Sequence, residues 1–140
     1  MLMLLPGLSP RLGSPTVIYP LFGGLRHRTK ATKPSPNTLW RVAAFRNYAD
    51  YAGTGAFRAG LDELRALARD HRCAIMCAEA VWWRCHRRII ADYLLARGVP
   101  VMHIMGSGKI DPAKLTPGAD VLANGTLVYP AAEHAIQTND

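Results

Sequence analysis

Cysteine, glutamate, histidine and arginine crowd into one short stretch. Cys77, Glu79, Arg84, Cys85, His86 and Arg87 all fall within RCAIMCAEAVWWRCHRRIIADYLLARG, residues 72–98. These residue types can carry acid–base, nucleophilic and anion-binding chemistry. His86 can serve as a general base or hold a substrate oxygen, with Glu79 orienting it or acting as an acid. A helix is expected to begin beside Cys85 and His86, and the N–H groups of its first turn favour an anion. They would also lower the pKa of a thiol placed there, which makes Cys85 or Cys77 a candidate nucleophile. Arg84, Arg87 and Arg41 are the expected anion clamps, since a guanidinium matches phosphate or carboxylate in a planar fork. A plainer account makes Cys73 and Cys77 small core residues and lets His86 satisfy a loop carbonyl.

Other residues add to the candidate pocket. Trp82 and Trp83 lie between Glu79 and the arginines and could stack on a base or sugar, although one ring packed inward and one left as a lid explains them as well. Trp83 and Asn37 are counted with the substrate-binding candidates. Gly23-Gly24, followed by Arg26, would let backbone amides approach a phosphate, but most such pairs are only turns. Trp40, Ala44 and Tyr48 stand at helical spacing and read as core. A metal set of Cys77, Cys85 and His86, with or without Cys73, lacks a second ligand pair at suitable spacing. Adjacent Cys85 and His86 also diverge by about 100° on a helix. No metal and no cofactor are therefore expected.

These residues need elements to position them. The apolar run 73–78 reads as a strand, the segment after it as a helix, and 99–105 as a second strand. On a helical wheel Ile89, Ile90, Tyr93, Leu94 and Ala96 share one arc, with Arg84, Arg88 and Asp92 on the opposite, solvent-facing side. His86 falls inside the apolar arc and should point toward the sheet. Upstream, Asn37 or Thr38 can cap a helix reaching about Tyr51. A further helix starts near Thr54, with Phe57, Leu61, Leu64 and Ala68 inward and Arg58, Asp62, Arg65 and Arg69 solvated. Residues 16–19 suggest a short strand, 22–36 a loop, and 106–117 a polar loop. Asn124-Gly125 between two apolar runs signals a tight hairpin. Residues 1–15 are expected to be poorly ordered, 16–130 to form one domain, and 131–140 to fray. The predicted architecture is α/β: a small open, mostly parallel sheet flanked by helices, with a C-terminal β-hairpin. Such sheets bind ligands at the carboxyl ends of their strands.

Composition sets the outer bounds. The 140 residues suit one domain. A formal charge of +7, carried mostly by arginine, suits an anionic ligand such as a nucleotide or nucleic acid. The opening run MLMLLPGLSPRLG is too short to span a bilayer, and no other stretch comes close, so no membrane partner is expected. Three irregularly spaced cysteines do not make a disulfide framework and fit a reduced, cytoplasmic protein. Oligomeric state is not legible.

Taken together, LFGGLR, NTLWRVAAFRNYADY, MCAEAVWWRCHRRIIADYLLARG, VMHI and LTPGADV…GTLVYP resemble the bacterial domain-of-unknown-function 488 family across residues 19–130. The resemblance implies a small cytoplasmic α/β protein and brings no assigned reaction. Relatives of this kind begin with a strand, a helix and a second strand ending in Asp-Val-Arg. No such unit precedes Thr16, so the chain reads as a truncated or wrongly started member. The leading expectation is an anion-binding, catalysis-capable pocket for a nucleotide, nucleic acid or phosphorylated metabolite. The alternatives are a non-catalytic nucleic-acid-binding module and an inactive truncated family member.

Overall fold

The computed structural model describes residues 2–4, 34–70, 73–76, 86–104 and 108–131. Within them the chain runs β1 (Leu2–Leu4), α1 (Ala43–Ala52), α2 (Gly55–Asp70), β2 (Ala74–Met76), α3 (Arg87–Ala96), β3 (Met102–Ile104), β4 (Ile110–Pro112), β5 (Asp120–Val121) and β6 (Leu127–Val128). This is a mixed α/β fold, and the β2–α3–β3 order matches the strand–helix–strand unit read from the sequence.

The sheet itself corrects the mostly parallel expectation. Its order is β2-β1-β3-β4, and every neighbouring pair is antiparallel. β2 and β3 both run opposite to β1 and so point the same way, as a crossover through α3 requires. They do not touch, because Leu2–Leu4 lies between them with Met3 opposite Ile75 on one side and His103 on the other. Three residues of the segment expected to be poorly ordered thus form an inner strand. β4 is a second departure, since it lies in what the sequence suggested was a polar loop. The expected strand at 16–19 and the loop before residue 34 fall outside the described residues.

Local chemistry explains where the helices start and stop. α1 begins at Ala43, later than the predicted cap, and Val42 precedes it with no side-chain cap. Asn37 is committed elsewhere, as set out below. Thr54 caps α2 as its sequence position suggests: its Oγ1 accepts the Phe57 N–H at 3.4 Å and donates to the Tyr51 carbonyl at 2.7 Å. α3 ends in a Schellman motif, with Gly98 N–H on Leu95 O at 2.9 Å and Val99 N–H on Leu94 O at 3.0 Å. That motif needs a left-handed residue, and Gly98 has φ +75°.

The core lies where the three helices meet. Phe57, Leu61 and Leu64 of α2 are buried at the predicted interval. Tyr48 of α1, Phe57 and Tyr93 of α3 pack ring against ring at 6.1 and 5.0 Å. The β5–β6 hairpin closes over α3: Leu127 N–H donates to the Tyr93 hydroxyl at 3.2 Å, and that hydroxyl lies 3.3 Å from the Leu127 carbonyl. Gly125, at φ +83°, supplies the left-handed turn residue, and Leu122 N–H bonds Thr126 O at 2.8 Å across it. No helix among the described residues is long and apolar enough to cross a membrane.

Candidate anion-binding site

The candidate residues that the structure describes stand at the start of α3 and on the β3–β4 pair. His86 immediately precedes α3, and its carbonyl accepts the Ile89 and Ile90 N–H groups at 3.0 and 3.2 Å. Its half-buried ring lies 4.9 Å from the ring of Tyr48. It therefore points inward, against α1. Arg87 follows as the first helical residue and is almost completely buried, at 1 % exposure. Burying a guanidinium is costly unless polar or ionic partners surround it.

Across from α3, His103 sits in the middle of β3 and is 2 % exposed. Its register partner on β4 is Asp111. Burial first, then the positive charge of Arg87, lowers the His103 pKa to about 4, while Asp111 pulls it back up. The ring is accordingly neutral near pH 7. A cavity of about 320 Å³ opens here, lined by His103, Asp111, Pro112 and Lys114. Lys109 adds an exposed ion pair to Asp111 at 4.0 Å. The cavity thus brings together a neutral imidazole, a carboxylate and a lysine, with Lys114 just past the amino end of β3, where Ala113 N–H bonds Val101 O at 2.8 Å. Such a set can hold an anion and exchange a proton with it.

The sequence reading did not find His103, Asp111 or Lys114 as site residues. A lone histidine inside the apolar run VMHI was an available signal. Its pairing with Asp111 was not, because register across a loop is not written in either strand alone.

Of the twelve predicted site residues, Asn37, Arg41, His86 and Arg87 are among the described ones. Arg41 is exposed just ahead of α1. Asn37 is 3 % exposed, and its amide ties two elements together. Nδ2 donates to Asp50 Oδ1 at 2.7 Å and Oδ1 accepts the Tyr129 N–H at 2.9 Å, while Ser35 Oγ donates to the same Asp50 oxygen. Glu79, Cys77, Cys85, Arg84, Trp83, Gly23, Gly24 and Arg26 lie outside the described residues. Among the described residues no group of three His, Cys, Asp or Glu could hold a metal ion.

The supposed solvent face of α3 is the clearest correction. Asp92 is 1 % exposed, not solvated. Its Oδ1 accepts the Thr116 N–H at 2.9 Å and its Oδ2 the Tyr129 hydroxyl at 2.9 Å. Arg88 lies over the Trp40 ring at 5.2 Å and donates from Nε to Thr116 Oγ1 at 3.0 Å. Trp40 is not helical, but it packs edge-on to Tyr129 at 5.2 Å. Ala44, read as core beside it, is exposed, whereas Tyr48 is buried. The segment around Thr116 and the chain after β6 cover the polar side of α3, so the helix is buried nearly all round.

Comparison with known proteins agrees with the sequence motifs. Neither the curated proteins nor the solved structures contain a match to the chain. The family model described as "Domain of unknown function DUF488" matches residues 14–94, a span that holds α1, α2 and all but the last turn of α3 and stops short of His103 and Asp111. That span is more than half of the chain, and the chain belongs to the DUF488 family.

Proposed function

We propose that the chain binds a phosphorylated small molecule, such as a nucleotide or phosphorylated metabolite, at the cavity where β3 meets β4. One observation carries this reading: buried His103, within range of the Arg87 charge, lines a cavity together with Asp111 and Lys114. In the proposed site Arg87 and Lys114 supply positive charge, and neutral His103 donates a hydrogen bond to a ligand oxygen. His86 and Glu79 are the proposed acid and base and Cys85 or Cys77 the nucleophile, with Arg84, Arg41, Arg26, Trp83 and the Gly23-Gly24 turn as further binding candidates, while buried Asn37 is committed to Asp50 and Tyr129. The irregularly spaced cysteines support a reduced, cytoplasmic setting.

Thermal shift and calorimetry with inorganic phosphate, AMP and ATP test the proposal. A ligand at a hundred times its Kd adds about 2.7 kcal/mol to stability. Lys114 is exposed, so Lys114→Gln leaves the core alone and should weaken binding severalfold. If none of the three compounds raises the melting temperature, or if Lys114→Gln and Arg87→Lys both bind as the parent does, the proposal fails.

A further inference from the structure

At the other end of α3, about 15 Å from Arg87 for a ten-residue helix, Arg58 of α2 and Arg97 meet at the β5–β6 turn. Arg58 of α2 donates from Nη2 to the Asn124 carbonyl at 3.2 Å and to Thr126 Oγ1 at 3.4 Å. Arg97, the residue that ends α3, approaches the same turn, its Nη2 lying 3.7 Å from where a Cβ on Gly125 would stand. Its guanidinium also lies over the Tyr93 ring at 5.8 Å and donates to the Tyr93 carbonyl at 3.2 Å. Arg65 stands two turns after Arg58, about 10 Å along α2, and Arg69 one turn further.

None of Arg58, Arg65 and Arg97 forms an ion pair with a carboxylate among the described residues. Asp62 is the single acid interleaved on that helix face. Burial, and then the like charges of Arg65 and Arg58, pull the Arg97 pKa below its ordinary value, against Asp62 and Tyr93. Holding like charges together in this way costs stability, and an arriving polyanion would repay it. Hydrogen bonds hold two of the three side chains beforehand, Arg58 on the turn and Arg97 on the Tyr93 carbonyl, which lowers the entropy lost on binding.

We propose that Arg58, Arg65 and Arg97 form a docking surface for the phosphate backbone of a nucleic acid. Arg58 and Arg65 stand about 10 Å apart along α2 with Arg97 at the end of α3 beside them, a spread that suits successive phosphates better than one small anion. This surface shares no residue with the β3–β4 cavity and does not rest on the proposed pocket there. The three arginines would contact phosphates rather than bases, so binding is expected to depend little on sequence.

The test uses the full chain and fluorescence anisotropy with a fluorescein-labelled 20-nucleotide strand and its duplex, from 50 to 200 mM salt. Each phosphate contact contributes roughly 0.7 to 0.9 to the slope of log K against log salt. Arg65→Gln breaks no hydrogen bond seen in the fold, and should shrink the affinity lost across that fourfold salt range by about threefold. The Arg58→Gln/Arg65→Gln/Arg97→Gln variant, checked for a cooperative melt, should shrink it by about 20- to 40-fold. Lys109→Gln removes the same charge elsewhere and should leave the slope unchanged. Exposed Val121 and Leu122 on the same hairpin make an anionic lipid surface the rival partner. Phosphatidylserine–phosphatidylcholine vesicles, assayed by co-sedimentation, address it. The assignment is overturned if neither oligonucleotide binds, if vesicles bind and oligonucleotides do not, or if Arg65→Gln and Lys109→Gln change the slope equally. Loss of oligonucleotide binding in the triple variant with an unchanged phosphate thermal shift would keep this surface distinct from the pocket.

Discussion

Tyr129→Phe removes one oxygen from a fully buried ring and leaves the ring's contact with Trp40 in place. What it deletes is the 2.9 Å hydrogen bond to Asp92 Oδ2, in a carboxyl that is 1 % exposed and has no water to turn to. Hydrogen bonds to charged groups are worth about 1.5–3 kcal/mol, and the phenyl ring recovers a little by shedding a buried hydroxyl, so a net loss of about 2 kcal/mol is expected at pH 7. For a domain of this size that is a fall of roughly 6–8 °C in Tm. The pH dependence separates this mechanism from simple loosening. Burial holds the Asp92 pKa above its ordinary value of 3.8, while hydrogen bonds from Thr116 and Tyr129 and the charge of Arg88 pull it back. Removing the hydroxyl lets it rise further. Between the unfolded and folded values the native state binds the extra proton, so stability is greatest in acid and is lost as pH rises through the folded pKa. The deficit of Tyr129→Phe should therefore be full at neutral pH and shrink as pH falls toward 4. Urea denaturation at several pH values measures it. A loss below about 0.5 kcal/mol at pH 7, or one equal at pH 4.5 and 7, would refute an ionised Asp92 as the acceptor.

Two further outcomes follow from the same geometry. Gly98→Ala meets no atom within 4 Å, so its whole cost is the left-handed φ of +75°; denaturant melts should show a loss of about 1–2 kcal/mol, with Gly98→Asn milder. His103, with its pKa lowered from 6.5 to about 4, should titrate by NMR near pH 4. Because the unfolded chain takes up that proton first, stability should fall as pH drops from 6.5 toward 4, by an amount on the order of 3 kcal/mol, and His103→Gln should flatten that limb. A midpoint near 6.5 would mean that Arg87 and burial do not govern the ring.

The candidate site divides along the same line as the fold. His86 and Arg87 were visible as reactive types beside a helix start, because a cluster at the end of an apolar run is a local pattern. His103 and Asp111 were not, because their meeting depends on how β3 and β4 align. Asn37 looked like a helix cap or a ligand contact, yet its amide is spent joining Asp50 to Tyr129, 92 residues further along the chain. Arg88 and Asp92 fell on the polar side of the wheel, which describes one helix in isolation. Thr116, Trp40 and Tyr129 come from both sides of α3 in sequence and cover that face.

The sequence by itself determined what depends on neighbours along the chain. The stripe of α2, the Thr54 cap, the Asn124-Gly125 turn, the β2–α3–β3 order and the family motifs are all short-range. Each follows from backbone geometry, capping or periodicity within a few residues. Only the tertiary structure decided the antiparallel sheet with Leu2–Leu4 between β2 and β3, the burial of Asp92, and the meeting of Arg58 and Arg97 at one turn. Those depend on which distant surfaces come together and exclude water, and burial changes a polar side chain from a solvated group into one that must find its partner.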